Sequence, residues 1–302
     1  MTNYKIRTGP SGIHLFNRNT GINILFDELV PPRKIWSKAP RQVSIALTNI
    51  CDLRCSYCFA PKNKASLEFN QLIKWIKELD SNGCIGIGFG GGEPTLYKRL
   101  PELCQYISEN TSLAITMTTH AHRLTERLAR QLKGYINFIR VSMDGIRKTY
   151  ESIRNKSFDS FIKKIELAKI MAPIGINYVV NSYTISELDE ATALAHDIGA
   201  VEFLLLPEVP SKGTLGIDLN TVNSLRNWIL GYKGKIRLSI NEIGSAGLPI
   251  CNPLEPEKGL LSYAHIDAKG VLKRTSFDTN GVNIGNNSIM KSISLLKSKS
   301  RR

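Results

Sequence analysis

Long apolar runs are missing from this chain of 302 residues. Its longest apolar stretches are of strand length, as at 201–206 with one Glu among them, so nothing reads as a membrane span. The first twelve residues lack the apolar core of a secretory signal. Acid is scarce: 26 Asp and Glu face 40 Lys and Arg, a net charge of +14. The C-terminal stretch holds Lys291, Lys297, Lys299, Arg301 and Arg302 with no acid among them. Such a surface attracts an acidic partner, whether nucleotide, nucleic acid, acidic peptide or acidic electron carrier, unless the tail is only a solvated end. Three of the six cysteines, Cys84, Cys104 and Cys251, are scattered and need no disulfide. Reduced thiols fit a cytoplasmic protein.

The other three cysteines stand together. Cys51, Cys55 and Cys58 follow the spacing Cys-x3-Cys-x2-Cys. Three thiolates on one loop could hold three irons of a four-iron cluster and leave one iron open, where four thiolates would close it. A structural zinc site wants a fourth Cys or His, and the nearest downstream histidine is His120. Packed, unrelated thiols are the remaining reading, since free Cys behaves as a small hydrophobe.

The run from Cys51 to Phe59, with the aromatic Tyr57 before the third cysteine, resembles the signature of the radical S-adenosylmethionine (SAM) enzymes. The resemblance implies a [4Fe–4S] cluster on Cys51, Cys55 and Cys58, its open iron taking the amino and carboxylate groups of SAM. Further on, Gly90–Gly91–Gly92–Glu93–Pro94–Thr95 is similar to the family's motif for the SAM amino group. By that likeness Gly91 and Gly92 offer backbone carbonyls and Glu93 its carboxylate. Successive glycines also permit close backbone approach. For Glu93 the alternative is an acid favoured at a helix N-terminus.

From residue 43 onward, strands and helices alternate. Apolar runs at 43–47, 85–89, 113–117, 138–141, 176–180 and 201–206 read as strands, and helical spacing fills 67–79, 100–107, 124–132, 158–171, 187–198 and 220–230. Six such units imply parallel pairing through right-handed crossovers in a sheet buried on both faces. They are too few for the closed eight-stranded barrel. The expected fold is therefore α/β, a partial (β/α)6 TIM-like barrel. An N-terminal β-hairpin, from runs at 13–16 and 22–26, precedes it, and a small C-terminal α+β extension follows. The expected divisions are 1–40 for hairpin and linker, 41–232 for the barrel and 233–302 for the extension with its basic tail. Ligands of such sheets bind at the carboxyl ends of the strands.

Those strand ends supply further candidates. The resemblance implies that Ser142 and Asp144 lie beside the SAM ribose or carboxylate, although Asp–Gly is also common turn chemistry. It implies that Arg154 pairs with the SAM carboxylate, a task suited to the guanidinium fork. Asn181 is a candidate for the ribose, and Leu206 and Pro207 for the adenine. One stretch departs from the family: where relatives often have Thr–Asn–Gly, this chain has Thr119–His120–Ala121–His122. His120 and His122 are candidates for proton transfer or substrate recognition, or else form a polar loop without a role.

The segment 263–277 reads as a hairpin turning at Ala268–Lys269–Gly270. It is similar to the SPASM or twitch extension of peptide-modifying radical SAM enzymes, in which one cysteine precedes the hairpin and another ends it, both ligating an auxiliary cluster. Cys251 matches the first, but Thr275 stands at the second. One cysteine cannot hold such a cluster. The expectation is a degenerate extension with no auxiliary cluster, covering the barrel mouth.

These readings combine into an enzyme. It would cleave SAM reductively at its one [4Fe–4S] cluster to a 5′-deoxyadenosyl radical and take hydrogen from a substrate. A peptide is the first expectation for that substrate, with an acidic leader segment drawn to the basic surface. A nucleotide or other small phosphorylated molecule is the second. A non-catalytic RNA- or peptide-binding protein on the same fold is the third. A flavodoxin- or ferredoxin-type reductant is an expected partner; a membrane and nucleic acid are not.

Overall fold

The computed structural model describes residues 4–211 and 214–299. Arg301 and Arg302 of the basic tail lie outside them. The chain opens with β1 (Lys5–Gly9), β2 (Gly12–Phe16) and β3 (Asn23–Phe26), an antiparallel sheet in that order. The expected hairpin is β2–β3. The sequence hid β1 because its pattern is inverted: Lys5 and Arg7 are buried while Ile6 is exposed. Lys5 pairs with Asp80 and Arg7 with Glu257, so the inward charges are neutralised.

The barrel follows as β4 (Gln42–Thr48), α1 (Phe69–Ser81), β5 (Gly86–Gly91), α2 (Leu100–Asn110), β6 (Ala114–Thr119), α3 (Glu126–Leu132) and β7 (Phe138–Ser142). It continues with α4 (Lys148–Arg154), α5 (Phe158–Met171), β8 (Ile174–Val180), α6 (Leu188–Asp197), β9 (Glu202–Pro207) and α7 (Leu219–Gly231). Strand composition sets the layers: in β8 every residue but Val179 is buried, as a sheet covered on both faces requires. Helices cover it with apolar stripes, Leu72, Trp75, Ile76 and Leu79 on α1 for example. Side-chain caps at Thr125, Ser157 and Asp218 start α3, α5 and α7.

The rest of the chain is β10 (Leu238–Ile240), β11 (Tyr263–Ile266), β12 (Val271–Lys273), β13 (Val282–Asn283) and α8 (Ile289–Ser298). All four strands join the barrel's sheet, whose order is β10-β9-β8-β7-β6-β5-β4-β11-β12-β13. Pairing is parallel from β10 to β11 and antiparallel beyond. The fold is thus the α/β partial barrel, its six-strand core lengthened at both edges. The added strands have four residues or fewer, too short to show a period. The segment from 233 on continues this sheet beside β9 and β4.

The N-terminal sheet caps the amino ends of the barrel strands. Arg18 donates to the carbonyls of Ser108, Thr111 and Leu113 just before β6, and Asn137 just before β7 donates to the Arg18 carbonyl. Arg7 donates to Ala39 and Gly83, which precede β4 and β5, and shares buried Glu257 with Arg41. The opposite end of the barrel is left for chemistry.

Candidate active site

The carboxyl ends of β4 to β9 carry the sequence candidates. Cys51, Cys55 and Cys58 sit half-buried on the loop after β4, none in a disulfide. The base of that loop is closed by a bridge between Thr48 and Ser66 and by the Asn49 N–H, which donates to the Ala65 carbonyl at 2.8 Å. Leu53 and Ala60 are its buried anchors. Burial pushes the Cys51 and Cys55 thiols up, so a bound cation would be needed to hold them as thiolates. Lys62 brings its Nζ to 3.2 Å from Cys58 Sγ. Cys84 and Cys104 are core residues far less able to ionise; burial drives Cys84 up to about 11. Cys251 is exposed, and the Thr275 hydroxyl donates to Asp278.

The end of β5 lies directly on the start of the cysteine loop. Gly92 N–H donates to the Thr48 carbonyl and Glu93 N–H to that of Ile50, at 2.7 and 2.8 Å. Side chains would prevent this approach. A Cβ at Gly91, where φ is +114°, would come within 2.3 Å of the Thr48 oxygen, and one at Gly92 within 2.3 Å of the Ile50 oxygen. Glu93 is 1% exposed. Its Oε1 accepts from Thr95 N, Thr95 Oγ1 and Thr119 Oγ1, and its Oε2 from the His120 N–H at 3.1 Å.

On β7 and α4 a second polar group forms. Asp144 is buried and accepts from Tyr57, from Arg154 and from the Val179 N–H. Burial disfavours the Arg154 charge, but Asp144 beside it raises the guanidinium above its ordinary value. Arg154 Nε is buried without a hydrogen-bond partner among the described residues. Such an orphan donor is costly unless a ligand meets it. Ser142 is half-buried beside Asn177, whose side-chain oxygen is likewise unpartnered. Asn181 works on its own turn, accepting from Tyr183 N and Thr184 N and donating to Glu208. Leu206 is half-buried and Pro207 buried at the end of β9.

The histidines are more committed than their sequence suggested. His122 Nε2 lies 2.7 Å from the Tyr150 hydroxyl, within an aromatic group that includes Phe161. Burial, with His120 next in effect, lowers His122 to about 4, so it is neutral near pH 7. His120 lies far from Cys51 in sequence yet beside it in space: ligating atoms of Cys51, Asp52 and His120 lie within 4.8 Å of one another. This corrects the impression that no histidine is near the thiols. Zinc is still poorly served, because His120 Nδ1 accepts from the His122 N–H. A metal on Nε2 would place a proton on Nδ1, against that donor. The links Tyr57–Asp144 and Asp52–His120 escaped sequence reasoning; the only hint was that Asp52 and Tyr57 lie within the cysteine run. Three soft thiol ligands, a glycine-lined approach and an unmet guanidinium N–H fit an iron–sulfur cluster with an anionic ligand next to it.

Comparison with known proteins bears on this site. A family model, the radical SAM superfamily, matches residues 45–195. Fe-coproporphyrin III synthase of Methanosarcina barkeri is 29% identical over 152 residues, covering 47% of this chain and 37% of that protein. PqqA peptide cyclase of Bradyrhizobium diazoefficiens is 27% identical over 170 residues, covering 53% and 44%. The chain thus spans less than half the length of either relative. An uncharacterized protein of Methanocaldococcus jannaschii, MJ0907, is 24% identical over 275 residues and covered to 94%. Among solved structures, SuiB of Streptococcus suis bound to SAM superposes with a TM-score of 0.77 at 14% identity, covering all of this chain and 89% of that one. SuiB bound to its precursor peptide SuiA gives 0.75 at 14% identity, covering 96% and 86%.

Proposed function

The chain belongs to the radical SAM superfamily and is an enzyme of that class; on this premise we propose that it modifies a peptide. In this reading Cys51, Cys55 and Cys58 hold the one [4Fe–4S] cluster. Gly91, Gly92 and Glu93 hold the SAM amino group, Arg154 the SAM carboxylate, and Ser142, Asn181, Leu206 and Pro207 the nucleoside. Bound there, cluster and SAM supply reducing power and an adenosyl radical able to take hydrogen from an unactivated C–H bond. The protein's own part is to orient and shield. Gly91 and Gly92 let backbone approach backbone. Asp144 anchors Arg154 and leaves Nε to meet an anion. Burial of Glu93 and Asp144 keeps water from competing for their partners. The carrying observation is the convergence, at one end of the sheet, of three free thiols, Glu93 and the unmet Arg154 Nε.

Several features support a peptide substrate. The sequence likeness to a peptide cyclase is one, and the fold likeness to SuiB bound to its precursor peptide agrees with it. Strand β3 pairs only with β2 among the described residues and exposes Ile24 and Phe26, with exposed Ile22 just before it. Such an edge can add a strand from an extended peptide. Because it lies at the far end of the barrel, it would hold a leader remote from the reacting residue, and the +14 charge would suit an acidic leader and an acidic flavodoxin or ferredoxin. Among the described residues no helix is long and apolar enough to cross a membrane. The extension is taken as a degenerate SPASM or twitch module without an auxiliary cluster; Cys251 without a second cysteine supports this. A nucleotide or other small phosphorylated molecule is the second reading, favoured by the sequence likeness to GTP 3′,8-cyclase; the likeness to Fe-coproporphyrin III synthase keeps other small molecules with it.

Uncoupled release of 5′-deoxyadenosine by the reduced enzyme tests the choice. Short peptides encoded beside the gene should raise it and emerge with altered mass. Stimulation by porphyrins or nucleotides, with no peptide effective, would replace the peptide reading with the second.

A further inference from the structure

Resting on that reading, we propose that His120 is a positioning residue, a fixed donor that holds the cysteine loop at its working distance from Glu93. The ring is 3% exposed, and its tautomer is set by the chain. Ala121 adopts φ +64°, which turns the backbone so that the His122 N–H is shared between the His120 carbonyl at 2.9 Å and His120 Nδ1 at 3.1 Å. That nitrogen accepts, so the proton sits on Nε2. Nε2 lies 2.9 Å from Asp52 Oδ1 and 3.3 Å from Glu93 Oε2. Asp52 adjoins Cys51 in the chain, and Arg123 Nε holds its other oxygen at 2.9 Å.

One ring therefore spans two parts of the site that come from different strands. Glu93 is also held by Thr95, Thr119 and the His120 backbone N–H, and would stay in place without the His120 ring. The turn at Asp52 is less secure: the backbone is tied to Glu93 at Ile50, but among the described residues the Asp52 side chain is held by His120 and the exposed Arg123. SAM must reach the open iron and Glu93 together, so the spacing of these two sets its affinity. In this role His120 would act through Asp52 rather than by holding SAM or iron itself.

The test uses the full chain, reconstituted anaerobically, with SAM as probe. The SAM dissociation constant is read from the change SAM makes in the electron paramagnetic resonance spectrum of the reduced cluster. His120→Ala and Asp52→Ala should keep wild-type iron content and each weaken SAM roughly tenfold, the scale of one charge-assisted hydrogen bond. The double variant should bind no worse than the weaker single, because both remove one shared interaction. His120→Gln, whose amide reaches the same place, should recover most of the affinity and unfold at the wild-type midpoint. Multiplying losses in the double variant, a Gln variant no better than Ala, or unchanged SAM affinity would overturn the proposal. A wild type that takes up no iron, or whose spectrum ignores SAM, would instead refute the site reading on which it rests.

Discussion

Glu93 and the three thiols are neighbours held in opposite ways. Glu93 is 1% exposed and fixed by Thr95, Thr119 and the His120 backbone. The thiols ride a half-buried loop tied to the barrel at its base and through the side chains of Asp52 and Tyr57. The difference teaches that one half of the site is built by the fold alone, while the other is shaped to be completed by what it binds. Folding energy can fix a carboxylate through neutral donors, but bringing bare thiolates together without a cation is unfavourable.

Removing one group from each half breaks the comparison most visibly. Cys58→Ala should lose nearly all reconstituted iron and its absorbance near ~400 nm, whereas Glu93→Ala should keep the iron and lose SAM binding. Equal iron loss in both would mean that the halves are not separable.

Gly91→Ala comes next, because it attacks the seam between them. A Cβ there meets the Thr48 oxygen at 2.3 Å with φ at +114°, and clash with strain together should cost at least ~2 kcal/mol. Urea unfolding would measure it, and a loss under ~0.5 kcal/mol would show that the seam yields.

A probe outside both halves separates local from global effects. His265, on β11 next to Ser44 of β4, is lowered to about 4 by burial and then by Lys273. Its folded pKa lies below the unfolded 6.5, so the unfolded chain binds more protons between these values and stability falls as pH drops from about 6.5 to about 4. The loss is at most ~3 kcal/mol. The urea midpoint should fall between pH 7 and pH 5, and His265→Gln should make that slope shallower, leaving the part that His122 contributes. An unchanged slope would assign the acid sensitivity elsewhere.

Ala121→Gly should do least. Relief of the left-handed conformation, ~1–2 kcal/mol, is offset by glycine's backbone entropy, ~0.5–1 kcal/mol, and by a lost buried methyl, ~0.8 kcal/mol. The net change in unfolding free energy should lie within ~1 kcal/mol of zero; a larger gain would show that the His120 turn is strained beyond its backbone.

What the sequence disclosed follows from how local each feature is. The six core strands and their helices show in apolar runs, and Cys51–Cys58 and Gly91–Glu93 in fixed short spacing. Strand β1 was illegible because its buried side chains are charged and are balanced by Asp80 and Glu257 much later in the chain. The parallel pairing of β11 with β4 joins Tyr263–Ile266 to Gln42–Ile45, far apart in the chain, on only four residues of strand. At the site, Arg154 with Asp144 was nearly readable on neighbouring turns, while Asp52 with His120 depends on two strand ends meeting. Pairings of that kind leave no mark in composition or period.

The central claim is SAM cleavage at a site made by Cys51, Cys55 and Cys58. It is tested most directly by measuring 5′-deoxyadenosine formed from SAM by the reconstituted, reduced enzyme, with Cys55→Ala as control. The account predicts steady formation by the wild type and none by the variant. A wild type carrying its full iron yet forming none, or a variant forming as much, would contradict it.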